Sequence, residues 1–138
     1  MTRINPYLNF NDNCREAMNF YKDCIGGELT LTTVGESPMA AQMPANMQDA
    51  ILHASLQIDE YYMIMGSDMR RKQLTDGDTV TICINCASED EMNRFFKNLS
   101  AGGNINEPIS EMPGGAKIGY ITDKFGKHWM FYYDKNNN

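Results

Sequence analysis

His53 and His128 are the only histidines among 138 residues, so any imidazole acid–base chemistry near neutral pH rests on one of them. His53 lies in the alternating run Ile51-Leu52-His53-Ala54-Ser55-Leu56-Gln57, and His128 stands between the turn Asp123-Lys124-Phe125-Gly126-Lys127 and Trp129. His53 is the better catalytic candidate; its plain alternative is a hydrogen-bonding strand residue. For His128 the expected role is to satisfy the backbone of the 123–127 turn. Among the four cysteines, Cys83-Ile84-Asn85-Cys86 has the spacing of a zinc or dithiol motif. It sits in a strand-like run, however, and residues three apart on a strand point to opposite faces, so the two sulfurs do not converge. All four thiols read as reduced, small hydrophobic residues.

The elements that position these groups come in duplicate. Asn13-Cys14-Arg15-Glu16 and Ser88-Glu89-Asp90-Glu91 both read as capping boxes that open a helix. Each helix carries an aromatic pair followed by lysine, Phe20-Tyr21-Lys22 and Phe95-Phe96-Lys97, and each runs into a glycine pair, Gly26-Gly27 and Gly102-Gly103. Strand-like runs over 4–10 and 79–86 precede the helices, with Ile4, Pro6, Leu8 and Phe10, and Val80, Ile82 and Ile84, expected on the packed faces. Further strands are predicted at 28–34, 51–58 and 61–65, and at 104–109, 117–122 and 128–133, with hairpin turns at Asp59-Glu60 and 123–126. The order is βαβββ twice, an α+β class with pseudo-repeats over 1–68 and 77–135 in one domain spanning 1–138.

The net charge of −6 and the lack of a basic face beyond Arg70-Arg71-Lys72 argue against a nucleic-acid partner. The start Met1-Thr2-Arg3-Ile4-Asn5-Pro6 has no apolar core of a signal peptide, and no apolar run approaches membrane-spanning length. A cytoplasmic protein without a membrane partner is expected.

Six segments in this order and spacing carry a resemblance: Asn5-Pro6-Tyr7-Leu8-Asn9-Phe10, Glu16-Ala17-Met18-Asn19-Phe20-Tyr21, Gly26-Gly27-Glu28-Leu29, Ile51-Leu52-His53-Ala54, Met65-Gly66-Ser67-Asp68, and Thr122-Asp123-Lys124-Phe125-Gly126-Lys127-His128-Trp129. Together they resemble the PhnB-like branch of the glyoxalase/bleomycin-resistance/extradiol dioxygenase (vicinal oxygen chelate) superfamily. The resemblance implies two βαβββ units forming curved half-barrels around a cleft, a homodimer, and an activity that is largely unassigned. In metal-using members four cleft-facing strand positions supply His or Glu. Carried over by helix and turn landmarks, those positions hold Asn5, Met63, Thr81 and Met130, none a good ligand for a divalent cation. A metal-independent cleft is expected, and with no glycine-rich loop after a strand, no cofactor.

With the apolar face of each strand on a helix, the opposite faces place Asn5, Tyr7, Asn9, His53, Ser55, Gln57, Thr81, Cys83, Asn85, His128, Met130 and Tyr132 around one space. That surface is neutral and hydrogen-bonding over an apolar methionine floor, a mixture suited to a small polar or aromatic molecule. Its alternative is a face turned to solvent or to a dimer contact. Three functions compete: a metal-free binding protein or enzyme of undefined reaction, a metal-dependent lyase, isomerase or dioxygenase recruiting Glu or Asp to a histidine, and a dimeric interaction module with no small ligand. Residues 35–50, with Met39, Met43 and Met47 interrupted by Pro38 and Pro44, read as a loop or lid, or as an unstructured excursion. The tail 135–138 is expected to fray.

Overall fold

A computed structural model describes residues 1–69 and 72–136; the Arg70-Arg71 pair and the last two asparagines of the tail lie outside them. The chain divides into two units, Met1–Thr75 and Asp76–Asn138.

In the first unit β1 (Tyr7–Asn9) leads into α1 (Cys14–Ile25), followed by β2 (Glu28–Thr33), β3 (Ile51–Gln57) and β4 (Met63–Ser67). The strands form one mixed sheet in the order β1-β4-β3-β2, with β1 parallel to β4 and the other pairs antiparallel. The helix follows from its spacing: Cys14, Ala17, Met18, Tyr21 and Cys24 make a single buried stripe. Phe10, Ile51, Ala54, Leu56 and Ile64 are among the buried apolar residues of the strands and their ends. Gly66 lets β4 come close beneath the helix, because a Cβ there would meet Phe10, Met18 and Cys14 at 3.1–3.3 Å. The helix ends at Gly26 and Gly27, both at positive φ, and a Cβ on Gly27 would stand 2.8 Å from the Gln57 carbonyl oxygen.

The capping box expected at Asn13 does not form. Asn13 makes no side-chain cap bond, and its Oδ1 is buried without a partner among the described residues. Asp68, 3% exposed at the end of β4, takes over: its Oδ1 accepts from Cys14 N (3.0 Å) and its Oδ2 from Ile51 N (2.9 Å). Its own N–H donates to the Ile51 carbonyl at 2.9 Å. A carboxylate is the stronger acceptor for a helix N-terminus, and tertiary structure delivers it from 54 residues away.

The second unit repeats the plan with β5 (Ile82–Asn85), α2 (Glu89–Ser100), β6 (Asn104–Glu111), β7 (Lys117–Thr122) and β8 (His128–Tyr133), in the order β5-β8-β7-β6. Met92, Phe95, Phe96 and Leu99 form the buried stripe of α2, and Ile121, Trp129 and Phe131 are buried beneath. Each such side chain contributes roughly 1.5–3 kcal/mol when taken out of water. Here the capping box does form: Ser88 Oγ accepts from Glu91 N (3.1 Å), and Glu91 Oε1 accepts from Ala87 N (3.1 Å). Gly103 is a close approach, since a Cβ would lie 2.2 Å from the Thr122 carbonyl oxygen.

Several boundaries differ from expectation. Ile4 (98% exposed) and Val80 (75% exposed) are not packed, because β1 and β5 begin only at Tyr7 and Ile82, where β4 and β8 offer partners. β4 starts at Met63 instead of 61, because Asp59 Oδ1 accepts from the Tyr61 and Tyr62 amides (2.7 and 2.9 Å) and draws both tyrosines into the hairpin. β6 continues through Pro108 to Glu111, as an irregular edge strand permits. Residues 35–50 are not an unstructured excursion. They hold 3₁₀ turns at Ala40–Gln42 and Ala45–Met47, and the Gln48 amide donates to the Ala40 and Met43 carbonyls at 2.9 and 3.1 Å. Among the described residues no helix is long and apolar enough to cross a membrane.

Asp68→Asn places an amide N–H₂ against one of two buried backbone donors. We expect it to cost roughly 2–3 kcal/mol in denaturant unfolding. Asn13→Ala, which removes an unpartnered oxygen, should stay within about 0.5 kcal/mol. The reverse ranking would contradict the capping role given to Asp68.

Candidate functional site

Each helix covers one face of its sheet, and the strand alternation sends the candidate residues to the other. In the first unit the register sets Tyr7, Met65, Ser55 and Thr30 in one row across the sheet, and one step along it aligns Asn9 with Ser67 and His53 with Thr32. Met63, Gln57 and Glu28 make a third row. Five of the expected residues, Tyr7, Asn9, His53, Ser55 and Gln57, therefore share this open face; Asn5 precedes β1 and is half-buried.

Within this face Tyr7 and His53 meet. Their ring centroids are 5.9 Å apart, with planes inclined at 37°. Among the described residues neither ring nitrogen of His53 nor the Tyr7 hydroxyl has a hydrogen-bond partner. His53 is half-buried and Tyr7 is 47% exposed, so both keep their hydrogen-bonding capacity for a molecule arriving from outside. The three rows hold no lysine or arginine, and Glu28 is their one ionisable carboxylate. Such a face offers no counter-charge to an anion.

The open face of the second unit carries Cys83, Met130, Tyr120 and Glu107 in one row and Asn85, Tyr132, Ile118 and Ser110 in the next, with His128 beside Thr122. Thr81 precedes β5 and is exposed. His128 differs from His53 in having both nitrogens engaged, Nδ1 with Thr122 Oγ1 (2.9 Å) and Nε2 with the Gly77 carbonyl (2.7 Å). The role expected for His128 in the 123–127 turn belongs to Asp123. That buried carboxylate accepts from Phe125 N (2.8 Å), Lys127 N (3.0 Å) and Trp129 Nε1 (2.8 Å). A carboxylate two residues before the first of these amides forms the turn without a ring.

The sequence reading missed Met65, Thr32, Tyr120 and Glu107. Tyr120 was available from the alternation of 117–122 and Met65 from its spacing of two from Met63, whereas Thr32 and Glu107 depended on cross-strand register.

None of the four cysteines is in a disulfide. Cys83 is exposed on the open face, while Cys86, three residues on, is buried, so the pair does not converge. Burial pushes the Cys86 thiol up to about 12, aided by Glu91. Burial, then the nearby Asp68 carboxylate, raises Cys14 to about 12. Partial burial also raises Cys83. Among the described residues no group of three or more His, Cys, Asp or Glu side chains is arranged to hold a metal ion. The positions of Asn5, Met63, Thr81 and Met130 offer amide, thioether and hydroxyl groups. That donor set does not fit the divalent ion used elsewhere in the superfamily.

Because the thiolate is the reactive form, a disulfide reagent added to the native chain near neutral pH should label Cys83 alone, slowly and faster as pH rises. Cys14, Cys24 and Cys86 should react only in denaturant. Rapid native labelling of Cys86 would contradict this assignment.

Comparison with known proteins places the chain beside a defined group. A family model described as 3-demethylubiquinone-9 3-methyltransferase matches residues 2–132. Protein YjdN of Escherichia coli (strain K12) is 33% identical over 136 residues, covering 92% of each chain. Protein PA1353 from Pseudomonas aeruginosa is similar in structure, with TM-score 0.85 and 34% identity over 97% of this chain and 98% of its own. A PhnB protein from Bacillus cereus, described as a putative 3-demethylubiquinone-9 3-methyltransferase, aligns with TM-score 0.71 and 21% identity over 96% and 100% of the two chains. The same fold recurs in a glyoxalase/bleomycin resistance protein/dioxygenase from Nocardioides, at TM-score 0.62 and 15% identity over 100% of this chain and 86% of that one.

Proposed function

The chain belongs to the 3-demethylubiquinone-9 3-methyltransferase family, whose PhnB-like fold is that of the glyoxalases, and from this we propose that it binds a small uncharged polar or aromatic molecule around Tyr7 and His53. The observation that carries the reading is the pair itself: a phenol and an imidazole in ring contact, without hydrogen-bond partners among the described residues. Polarizable thioethers of Met63 and Met65 supply an adaptable floor. Ser55, Thr30 and Thr32 add hydroxyls in the flanking rows. If the bound molecule is turned over, His53 is the group for proton transfer, since an imidazole with free nitrogens can both accept and donate near neutral pH.

The family description names a methyltransferase, but our reading does not extend to methyl transfer. Nucleotide-type cofactors are held by glycine-rich turns between strand and helix. The corresponding turns here, Asn11-Asp12-Asn13 and Ala87-Ser88, contain no glycine. The reading is also metal-independent, because the donors at the superfamily's ligand positions suit no divalent ion.

The test is a binding titration of the whole chain, labelled for NMR, with phenol and indole set against benzoate and inorganic phosphate. We expect the His53 ring signals to move with the uncharged probes only. His53→Ala and Tyr7→Ala should each weaken that binding about tenfold or more, the equivalent of one buried hydrogen-bonded contact. Preferential binding of the anions, or near-stoichiometric zinc, nickel, manganese or iron that raises the melting temperature, would overturn the proposal.

We further propose that the chain pairs with a second copy of itself, as the family resemblance implies. The exposed Tyr61 and Tyr62 of the β3–β4 hairpin supply aromatic surface suited to an interface. Light scattering at micromolar concentration should give twice the chain mass, and a monomeric mass would contradict it.

A further inference from the structure

His128 lies at the centre of a hydrogen-bond chain that runs from the Gly77 carbonyl through Thr122 to Asn106. Its Nε2 is 2.7 Å from the Gly77 carbonyl oxygen, which can only accept, so Nε2 is protonated. Its Nδ1 is 2.9 Å from Thr122 Oγ1. The Thr122 hydroxyl has a single proton, which it donates to Asn106 Oδ1 at 2.9 Å. In that arrangement Thr122 Oγ1 accepts from His128, and the chain is complete only when Nδ1 carries a proton as well. This arrangement is the one that suits a doubly protonated ring.

Loss of the Nδ1 proton reverses the polarity. Nδ1 becomes an acceptor and the Thr122 hydroxyl turns to donate to it. Thr122 Oγ1 and Asn106 Oδ1 then face each other as two acceptors. A half-turn of the Asn106 carboxamide relieves this, because it brings Nδ2 to Thr122 as a donor. The group that Asn106 presents to solvent changes with it, from N–H₂ when His128 is charged to C=O when it is neutral. The Gly77 contact is unaffected, since Nε2 keeps its proton in both states.

We propose that His128, Thr122 and Asn106 form a proton-reading relay that switches the exposed β6 edge at Asn106 from hydrogen-bond donor at low pH to acceptor at high pH. The relay lies wholly in the second unit and uses neither Tyr7 nor His53. Few charges surround it. Asp76 and Lys127 are paired with each other at 3.6 Å, and Asp78 follows Gly77 in the segment before β5. Asp123 turns its carboxylate to the hairpin amides and Trp129. Glu107 follows Asn106 on β6 and is aligned with Tyr120, and Cys83 on β5 is aligned with Met130. The Nδ1 proton is exchanged with solvent, and its presence or loss is felt first by Thr122, the one side chain bonded to that nitrogen among the described residues.

The experiment is a pH titration of the ¹⁵N-labelled full chain by NMR, following the His128 ring and the Asn106 side-chain amide, with His53 as the internal comparison. We expect the Asn106 amide pair to shift with the same midpoint as His128. Thr122→Val should leave His128 titrating and make Asn106 indifferent to pH, while Thr122→Ser keeps the coupling. Asn106→Asp, whose carboxylate only accepts, should raise the His128 midpoint by about one pH unit; this exposed substitution decides the matter should Thr122→Val not fold. An Asn106 amide that ignores pH through the His128 transition, or an unchanged midpoint in Asn106→Asp, overturns the relay.

Discussion

The buried carboxylate of Asp68 connects three chain segments that hydrophobic packing alone leaves free to slide. It caps α1 through Cys14, fixes the start of β3 through the Ile51 amide, and does both from the end of β4. A register slip of one residue on β3 would lose the Ile51 bond and turn Ala54 and Leu56 outward, so the clamp and the hydrophobic alternation specify the same alignment. The phenol and imidazole of the open face are consequences of that alignment, since Tyr7 reaches His53 only when β1 lies beside β4 and β4 beside β3 in this register.

The second unit caps its helix locally through Ser88 and Glu91 and places its buried carboxylate elsewhere. Asp123 ties the β7–β8 hairpin to the indole of Trp129, the largest fully buried side chain, so turn geometry and core packing are fixed by one residue. Its counterpart in the first unit, Asp59, also accepts from two amides of the β3–β4 hairpin but reaches no core group. The first hairpin thus projects Tyr61 and Tyr62 to solvent, whereas the second is anchored inward. Duplicated topology has left the two units with different balances between anchoring and exposed surface.

The plan of the fold was readable wherever one local pattern sufficed. Helical stripes ending in glycine pairs fixed both helices, and the alternations of 117–122 and 128–133 match β7 and β8 residue for residue. What failed were features supplied by distant residues. Asn13 has the spacing of a cap but loses the role to Asp68. Ile4 and Val80 extend apolar alternations into segments with no neighbouring strand. Strand alternation brought Tyr7 and His53 to one face, but it could not show that their polar atoms were unpaired, because hydrogen-bond occupancy is decided by side chains from other elements.

The two histidines make that last point most sharply. Read along the chain, both are strand residues facing away from a helix. The difference arises across the sheets: His128 begins β8, where Thr122 lies opposite and the segment before β5 brings the Gly77 carbonyl within reach, so both nitrogens are used in holding structure. His53 lies inside β3 opposite Thr32, with Tyr7 against its ring and no partner for its nitrogens among the described residues. An imidazole that already serves the fold can transmit a proton only by rearranging its partners, while one left unpaired can meet a ligand directly. The same residue type, on the third strand of one unit and the fourth of the other, therefore keeps different partners, and what separates the two is the neighbouring strand.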